Sequence, residues 1–258
     1  MRSKRILIVA AAIVALGYYA SLSLSQTPSS KTKPTRSQTP SSKTKPTSEA
    51  VRAERAATVL GEIMEAPDQG IPEALLRRAY GIAVIPHVVK GAFGIGGRYG
   101  KGLVAQRSAN GGWGTPLFVQ IGGGSFGLQL GVEATDVIMV FTNRDGIMPL
   151  LRGKLKIGAD ASATAGPVGR KAEVGTDILL NSAIYSYSRS KGLFAGIALD
   201  GAVIQLDNDA NRNVYGKKSV AGDATGIKMS NTAMAVVQPF LRALQKYVPG
   251  ITPTAVRN

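Results

Sequence analysis

The run Gly123-Gly124-Ser125-Phe126-Gly127 has the G-x-S-x-G form of a nucleophile elbow, the sharp turn that presents a catalytic serine between a strand and a helix. Here a strand-type alternation follows the serine. The single histidine, His87, lies upstream in Ile85-Pro86-His87-Val88-Val89, whereas the hydrolase order places it downstream. A serine triad is therefore disfavoured. Gly91 to Gly102 resembles a phosphate cradle in composition but contains neither G-x-G-x-x-G nor a closing Lys-Ser/Thr, and reads as a glycine-rich hairpin. Asp207, Asp209 and Asn211 begin like a calcium loop, yet Arg212 stands where the loop needs glycine and Lys218 where it needs glutamate. With no cysteine and one histidine, zinc would have to rely on carboxylates, and Glu133, Asp136 and Asp200 are scattered singly. No acid–base pair assembles, so the sequence predicts no catalytic residue, no metal, no cofactor and no enzyme.

What remains is charge. The 258 residues carry a formal +15, of which residues 1 to 48 supply eight bases and no acid, leaving +7 for the rest. Such a chain is drawn to anionic surfaces by an attraction that salt weakens. Arg52, Arg55, Arg77 and Arg78 fall on two expected helices, beside an apolar stripe that includes Val59, Leu60 and Ile63. These seven residues are the candidate lipid contact, in the manner of an interfacial helix flanked by bases. Core packing is the competing reading of the stripe, and a solvated helix face that of the arginines. Nucleic acid is disfavoured, because no basic recognition helix or aromatic-studded sheet motif is present.

The elements that must position these residues begin after an address segment. Arg2, Lys4 and Arg5 precede the apolar run Ile6 to Leu16, and Ser21-Leu22-Ser23 and Ser23-Leu24-Ser25 offer small-x-small cleavage sites. Residues 1–25 read as a signal peptide or, uncut, as an amino-terminal membrane anchor. Either predicts export to the cell envelope with membrane association. Residues 26–47 read as an extended linker: Ser-Gln-Thr-Pro-Ser-Ser-Lys-Thr-Lys-Pro-Thr occurs at Ser25 and again at Ser37, with too little apolar surface to offset the entropy of ordering.

From residue 48 to 258 the chain reads as one domain. Ser48 caps a first helix that Pro67 stops, and Pro72 opens a second that runs to Ala79. After Gly81 the apolar period becomes two. Strands are expected over Phe126–Val132, over Leu155–Ala165 and over Leu193–Leu199, the last with Leu193, Ala195, Ile197 and Leu199 on its packed face. Trp113, between glycines, is expected in the core or in a cluster at a strand end. A last helix is expected over Pro239–Tyr247. The class is α+β: a mainly antiparallel curled sheet or partly closed β-barrel, with amphipathic helices before it and a helix after it. The 31 glycines suit its bends and close strand approaches.

Seven separated blocks resemble the SYLF domain family in order and spacing: Ala79-Tyr-Gly81-Ile-Ala-Val-Ile-Pro86, Trp113-Gly-Thr-Pro116, Gly127-Leu-Gln129-Leu-Gly131, Asp136-Val-Ile, Gly166-Pro-Val-Gly-Arg170, Tyr187-Ser-Arg189-Ser-Lys-Gly192-Leu-Phe-Ala-Gly196 and Tyr215-Gly216. The likeness covers about Ala50 to Tyr215. Gly114 departs from an expected serine and Asp200 from an expected glutamate. The family includes bacterial exported proteins and eukaryotic regulators of cortical actin. The resemblance implies binding of anionic membrane lipids, of phosphoinositide type in eukaryotic members, through the first helix and nearby bases. The alternative is a protein-interaction scaffold of the envelope or the actin cytoskeleton.

Overall fold

The computed structural model describes residues 46–66, 70–93, 95–126, 131–169, 182–216, 227 and 229–248. The expected signal or anchor, the linker up to residue 45, and the signature residues Gly127 and Gln129 lie outside these. The described residues all belong to one compact unit, Lys45–Asn258.

Helix α1, Ser48–Glu65, is capped by Thr47, whose hydroxyl accepts the Ala50 amide at 3.2 Å, one residue before the expected Ser48. It ends at Ala66 in extended backbone, the conformation a following proline favours. Helix α2, Glu73–Arg77, follows Pro72. The strands are β1 Gly81–Phe93, β2 Ile95–Gln106, β3 Leu117–Phe126, β4 Gly131–Phe141, β5 Lys154–Lys156, β6 Ala163–Ala165, β7 Ile184–Ser190, β8 Leu193–Gly196 and β9 Val203–Leu206. Three further helices are α3 Arg144–Leu151, α4 Asn208–Tyr215 and α5 Asn231–Tyr247.

All the strands join one mixed sheet in the order β5-β9-β3-β2-β1-β4-β7-β6, with β8 also paired to β7. Every pairing is antiparallel except β6 with β7. Strands β5 and β6 sit at opposite ends of that order, yet only residues 157–162 join them, and Ile157 bridges Ala161 within the connection. Laid flat, eight strands at roughly 4.8 Å spacing would put the two edges about 34 Å apart. Seven residue steps reach about 25 Å at most. The sheet must therefore curl into a half-barrel, as expected.

Curling gives the sheet two buried faces. Ile82, Val84, Leu103, Ala105, Phe118, Ile138 and Val140 point outward under α1, α2 and α5, where they meet Leu60, Ile63, Leu75, Phe240 and Leu244. Their neighbours Ala83, Ile85, Val104, Val119, Val137 and Met139 point inward with Ile147, Leu150 and Leu155. Burial on both faces explains the continuous apolar runs Ile82 to Ile85 and Val137 to Phe141, where the period of two expected after Gly81 does not hold.

Four expectations change. The alternation over Phe126–Val132 spans the end of β3 and the start of β4, which have different sheet neighbours, and Leu128 and Leu130 lie outside the described residues. The strand expected over Leu155–Ala165 is broken by a turn in which Gly158 takes φ +94° and the Asp160 carboxylate accepts the Lys156 amide at 2.7 Å. In β8 the packed face is the opposite one: Leu193 is 75% exposed while Phe194 stacks on Tyr187, centroids 5.2 Å apart. Helix α5 begins eight residues before Pro239, which lies inside it; Ser230 is the cap, accepting the Ala233 amide at 3.1 Å.

Candidate functional site

The described family-signature residues sit at bulges, turns and close contacts of the fold. Strand β1 passes Pro86 and His87 at an irregularity in the pairing on both sides, between Val84 and Val89 toward β2 and between Ile85 and Val88 toward β4. A bulge is where a strand tolerates a residue without an amide hydrogen, which accounts for Pro86. His87 takes φ +52°, and its amide donates to the Asp136 carboxylate at 2.9 Å. Asp136 lies 3.9 Å from the Arg189 guanidinium, which also pairs with Glu62 of α1. One chain of contacts thus fastens the bulge, β4, β7 and α1.

The glycines mark close approaches and turns. A Cβ on Gly81 would lie 2.3 Å from Ile147 Cδ1, and one on Gly196 would lie 2.2 Å from the Gly166 carbonyl oxygen. Lys191 and Gly192 both take positive φ in the two-residue loop between β7 and β8, the twist that tight hairpins favour. Gly131 opens β4, paired with Ala92. Gly216 ends α4 at φ +85°, and the Tyr215 hydroxyl before it donates to the Pro116 carbonyl. Burial pushes that phenol's pKa well above the ordinary tyrosine range.

Trp113 is half-buried against the outer core. Its Nε1–H donates to the Val248 carbonyl at 3.1 Å, and the Arg107 guanidinium covers its ring at 4.5 Å. Arg107 is itself buried, donating through Nε to the Ala79 carbonyl at 2.7 Å and through Nη1 to Gly111 at 3.0 Å, and desolvation lowers its pKa.

The candidate contact residues divide. Val59, Leu60 and Ile63 are buried in the outer core, so the stripe packs on the sheet and α5 and leaves no apolar helix face for a bilayer in this conformation. Arg52 also turns inward. Its Nη1 donates to Asp207 Oδ2 at 2.9 Å, Lys101 Nζ reaches the same oxygen at 2.9 Å, and the guanidinium lies 5.4 Å above the Phe118 ring. Asp207 caps α4 by accepting the Ala210 amide at 3.2 Å. Burial pushes the Asp207 carboxyl up, but Lys101, the Ala210 amide and Arg52 outweigh it and hold the pKa below the ordinary range. The aspartate that opened a false calcium loop is thus a helix cap and an ion-pair hub. Arg55, Arg77 and Arg78 are exposed; Arg77 pairs with Glu73 one turn away, while Arg55 and Arg78 form no ion pair with any described residue.

Ser125 lies inside β3, where an elbow would require a turn. Among the described residues, no three His, Asp or Glu residues cluster as a metal site, and no helix is long and apolar enough to cross a membrane. A cavity of about 190 Å³ opens on the concave face of the half-barrel, where Lys90, Arg98 and Glu133 stand with Thr135 and Ser188 among aliphatic side chains. Sequence reasoning missed Arg98, Lys101, Glu62 and Asp207. Their partners lie far away in the chain, and only the aspartate before an eight-residue helix carried a local signal.

A curled sheet backed by helices, with its described signature residues at bulges, turns and close contacts, defines a compact α+β domain. Residues 122–247 match the family described as Ysc84, Las17-binding protein actin regulator. An SH3 domain-containing protein of Schizosaccharomyces pombe is 35% identical over 184 residues, 69% of this chain and 41% of that protein. LAS seventeen-binding protein 3 of Saccharomyces cerevisiae is 33% identical over 65% of this chain and 38% of its own. SH3 domain-containing YSC84-like protein 1 of Xenopus laevis is 31% identical over 65% of this chain and 52% of its own. The chain spans about half or less of the length of these relatives, and it belongs to the Ysc84, or SYLF, domain family.

Proposed function

We propose that the domain is a non-catalytic module that binds a protein partner, as a scaffold of the actin-regulatory kind or its envelope counterpart, through the outer face of α1 and α2. The observation that carries this reading is that Arg55, Arg77 and Arg78 stand exposed on helices whose inner sides are consumed by the core. Arg55 and Arg78 form no ion pair with a described residue and Arg77 holds only an exposed one, to Glu73, so the three together suit an acidic protein surface. The family description and the name of LAS seventeen-binding protein 3 support a protein as the partner.

Anionic phospholipid is the second reading, favoured by the same exposed arginines and by the net basic charge of residues 49–258. With the apolar stripe buried, such binding would be electrostatic and strongly salt-dependent, without insertion of α1. Residues 1–25 remain our proposed export signal or anchor, and export would make an envelope protein the partner instead of actin. Amino-terminal sequencing of the mature protein decides the address. Co-sedimentation with actin filaments, beside flotation with phosphatidylserine vesicles at low and physiological salt, decides the partner class. Filament binding without vesicle binding supports the first reading, and the reverse replaces it with the second.

A further inference from the structure

The helices cover the outer face of the sheet only in part. Helix α1 crosses the strands steeply, because Arg52 near its start reaches Asp207 at the end of β9 and Glu62 near its end reaches Arg189 of β7. One flank of α1 is taken by α5, whose Tyr247 hydroxyl would lie 3.3 Å from a Cβ on Gly61. On the other flank the sheet runs on. Gly122 of β3, Tyr99 of β2, Val89 of β1 and Ala134 of β4 are in register, and directly paired residues project to the same side. That side is the outer one, since Arg98 beside Tyr99, and Val88 and Lys90 on either side of Val89, face the concave cavity. Tyr99 is 54% and Val89 37% exposed, two large side chains with apolar bodies next to each other on neighbouring strands.

The next row outward is Gly124, Gly97 and Gly91, again in register. Glycine weakens a strand interior and persists where a bend, a bulge or a close approach requires it. A Cβ on Gly97 or Gly124 would meet no described neighbour nearer than 3.8 Å, so the described fold makes no such demand there. Two rows across four strands measure roughly 14 Å by 19 Å. That is too small for a stable face between two copies of the chain, which takes roughly 800 Å² per partner. It suits one α-helix, about 10–12 Å wide with its side chains, lying beside α1 at the usual separation of about 8–10 Å.

Arg52, Arg55 and Glu62 lie within about 80° of one another round α1, so Arg55 borders the strip together with two residues that reach down to the sheet. Those two are paired. Arg55 is exposed and forms no ion pair with any described residue, and it presents a positive charge to whatever lies alongside. The chain's own linker is repelled there, because residues 26–47 carry five bases and no acid. We propose that this strip is the docking site for an amphipathic helix of a partner protein, laid beside α1 with its apolar stripe on Val89 and Tyr99 and an acidic flank toward Arg55. The inference deepens the protein-binding reading above and rests on it.

Fluorescence anisotropy with the full chain tests it, using a labelled, end-blocked peptide of about 16 residues with leucine at helical i, i+3 and i+7 spacing and glutamate on its flanks. A twin with lysine for glutamate and a twin of scrambled order are the controls, and amide shifts in nitrogen-edited NMR locate the contact. The expected result is saturable binding of the glutamate peptide, shifts at Val89, Gly97 and Tyr99, and affinity about tenfold or more weaker for both twins. Gly97→Phe fills the floor where a side chain has room and should abolish binding with the melting temperature retained. Tyr99→Glu sets a like charge against the acidic flank and should do the same. Arg55→Ala should weaken the glutamate peptide several-fold, and Arg78→Ala should not. The parent's shifts decide if a variant does not fold. Absence of saturable binding overturns the proposal, as do shifts confined to other parts of the domain or binding that both Gly97→Phe and Tyr99→Glu leave unchanged. A dimer of the full chain that Gly97→Phe dissolves would replace the helix with a second copy, and flotation on phosphatidylserine vesicles lost in that variant would replace it with a bilayer. Filament co-sedimentation that Gly97→Phe leaves intact would remove the strip and keep the protein-binding reading. Peptide binding by a chain that sediments with no filament would keep the strip and remove the actin form of that reading.

Discussion

The two sides of α1 carry similar residues to opposite ends. On the inner side, Leu60 and Ile63 are sealed in the outer core, and Arg52 is locked between Asp207 and the Phe118 ring. On the outer side, three residues along the same helix, Arg55 is exposed and forms no ion pair with any described residue. Residue type does not distinguish the two arginines; helical phase does. At about 100° per residue, a three-residue step moves a side chain some 60° round the helix, enough here to separate a structural clamp from a surface charge. A basic residue therefore counts toward partner binding only when the fold leaves it unclaimed.

Substitutions on the two sides should separate stability from binding. The largest expected effect is Leu60→Ala, which removes a fully buried side chain at the α1–sheet contact and should cost about 3 kcal/mol in a urea titration. A loss below ~1 kcal/mol would mean that α1 is not held as described. Asp207→Asn comes next, at about 2 kcal/mol at neutral pH, because it leaves Arg52 without its counter-charge in a site only 6% exposed. Its pH dependence sharpens the assignment. The Asp207 carboxyl sits below its ordinary value, so its stabilisation is complete above the unfolded pKa of about 3.9 and is lost as pH falls through the folded pKa. The variant should lose less stability than the parent on acidification below about pH 4, retaining only the share due to other depressed carboxyls such as Glu49. Parallel acid limbs would show that the carboxylate is not the hub. Glu62→Gln should cost no more than about 1 kcal/mol, since the glutamate that reaches Arg189 is 48% exposed.

How much of this was legible follows from the range of each interaction. Local rules locate α1 and the stop before Pro67 to within a residue or two, because caps and proline act on their neighbours, and the glycine-rich run Gly91 to Gly102 falls on the facing ends of β1 and β2. The curl was legible from glycine content and strand number. The faces of β8 were not, because Leu193 and Phe194 are both apolar and the choice was made by Tyr187, paired across a turn. Helix α5 extends eight residues before the expected start at Pro239, because tertiary packing of Val237, Phe240 and Leu244 carries the helix through the proline. The division between Arg52 and Arg55 depends on Asp207, 155 residues away from Arg52, and no spacing in the sequence announces that pairing.

The most direct test of the central claim is the combined variant Arg55→Glu, Arg77→Glu, Arg78→Glu, with melting temperature and partner binding measured on the same preparation, by filament co-sedimentation and vesicle flotation. Exposed charges distant from the core change stability by about 0.5 kcal/mol or less. The account predicts a nearly unchanged melting temperature with binding to the partner lost. A folded variant that binds as the parent does would contradict it, and would place the partner surface elsewhere on the domain.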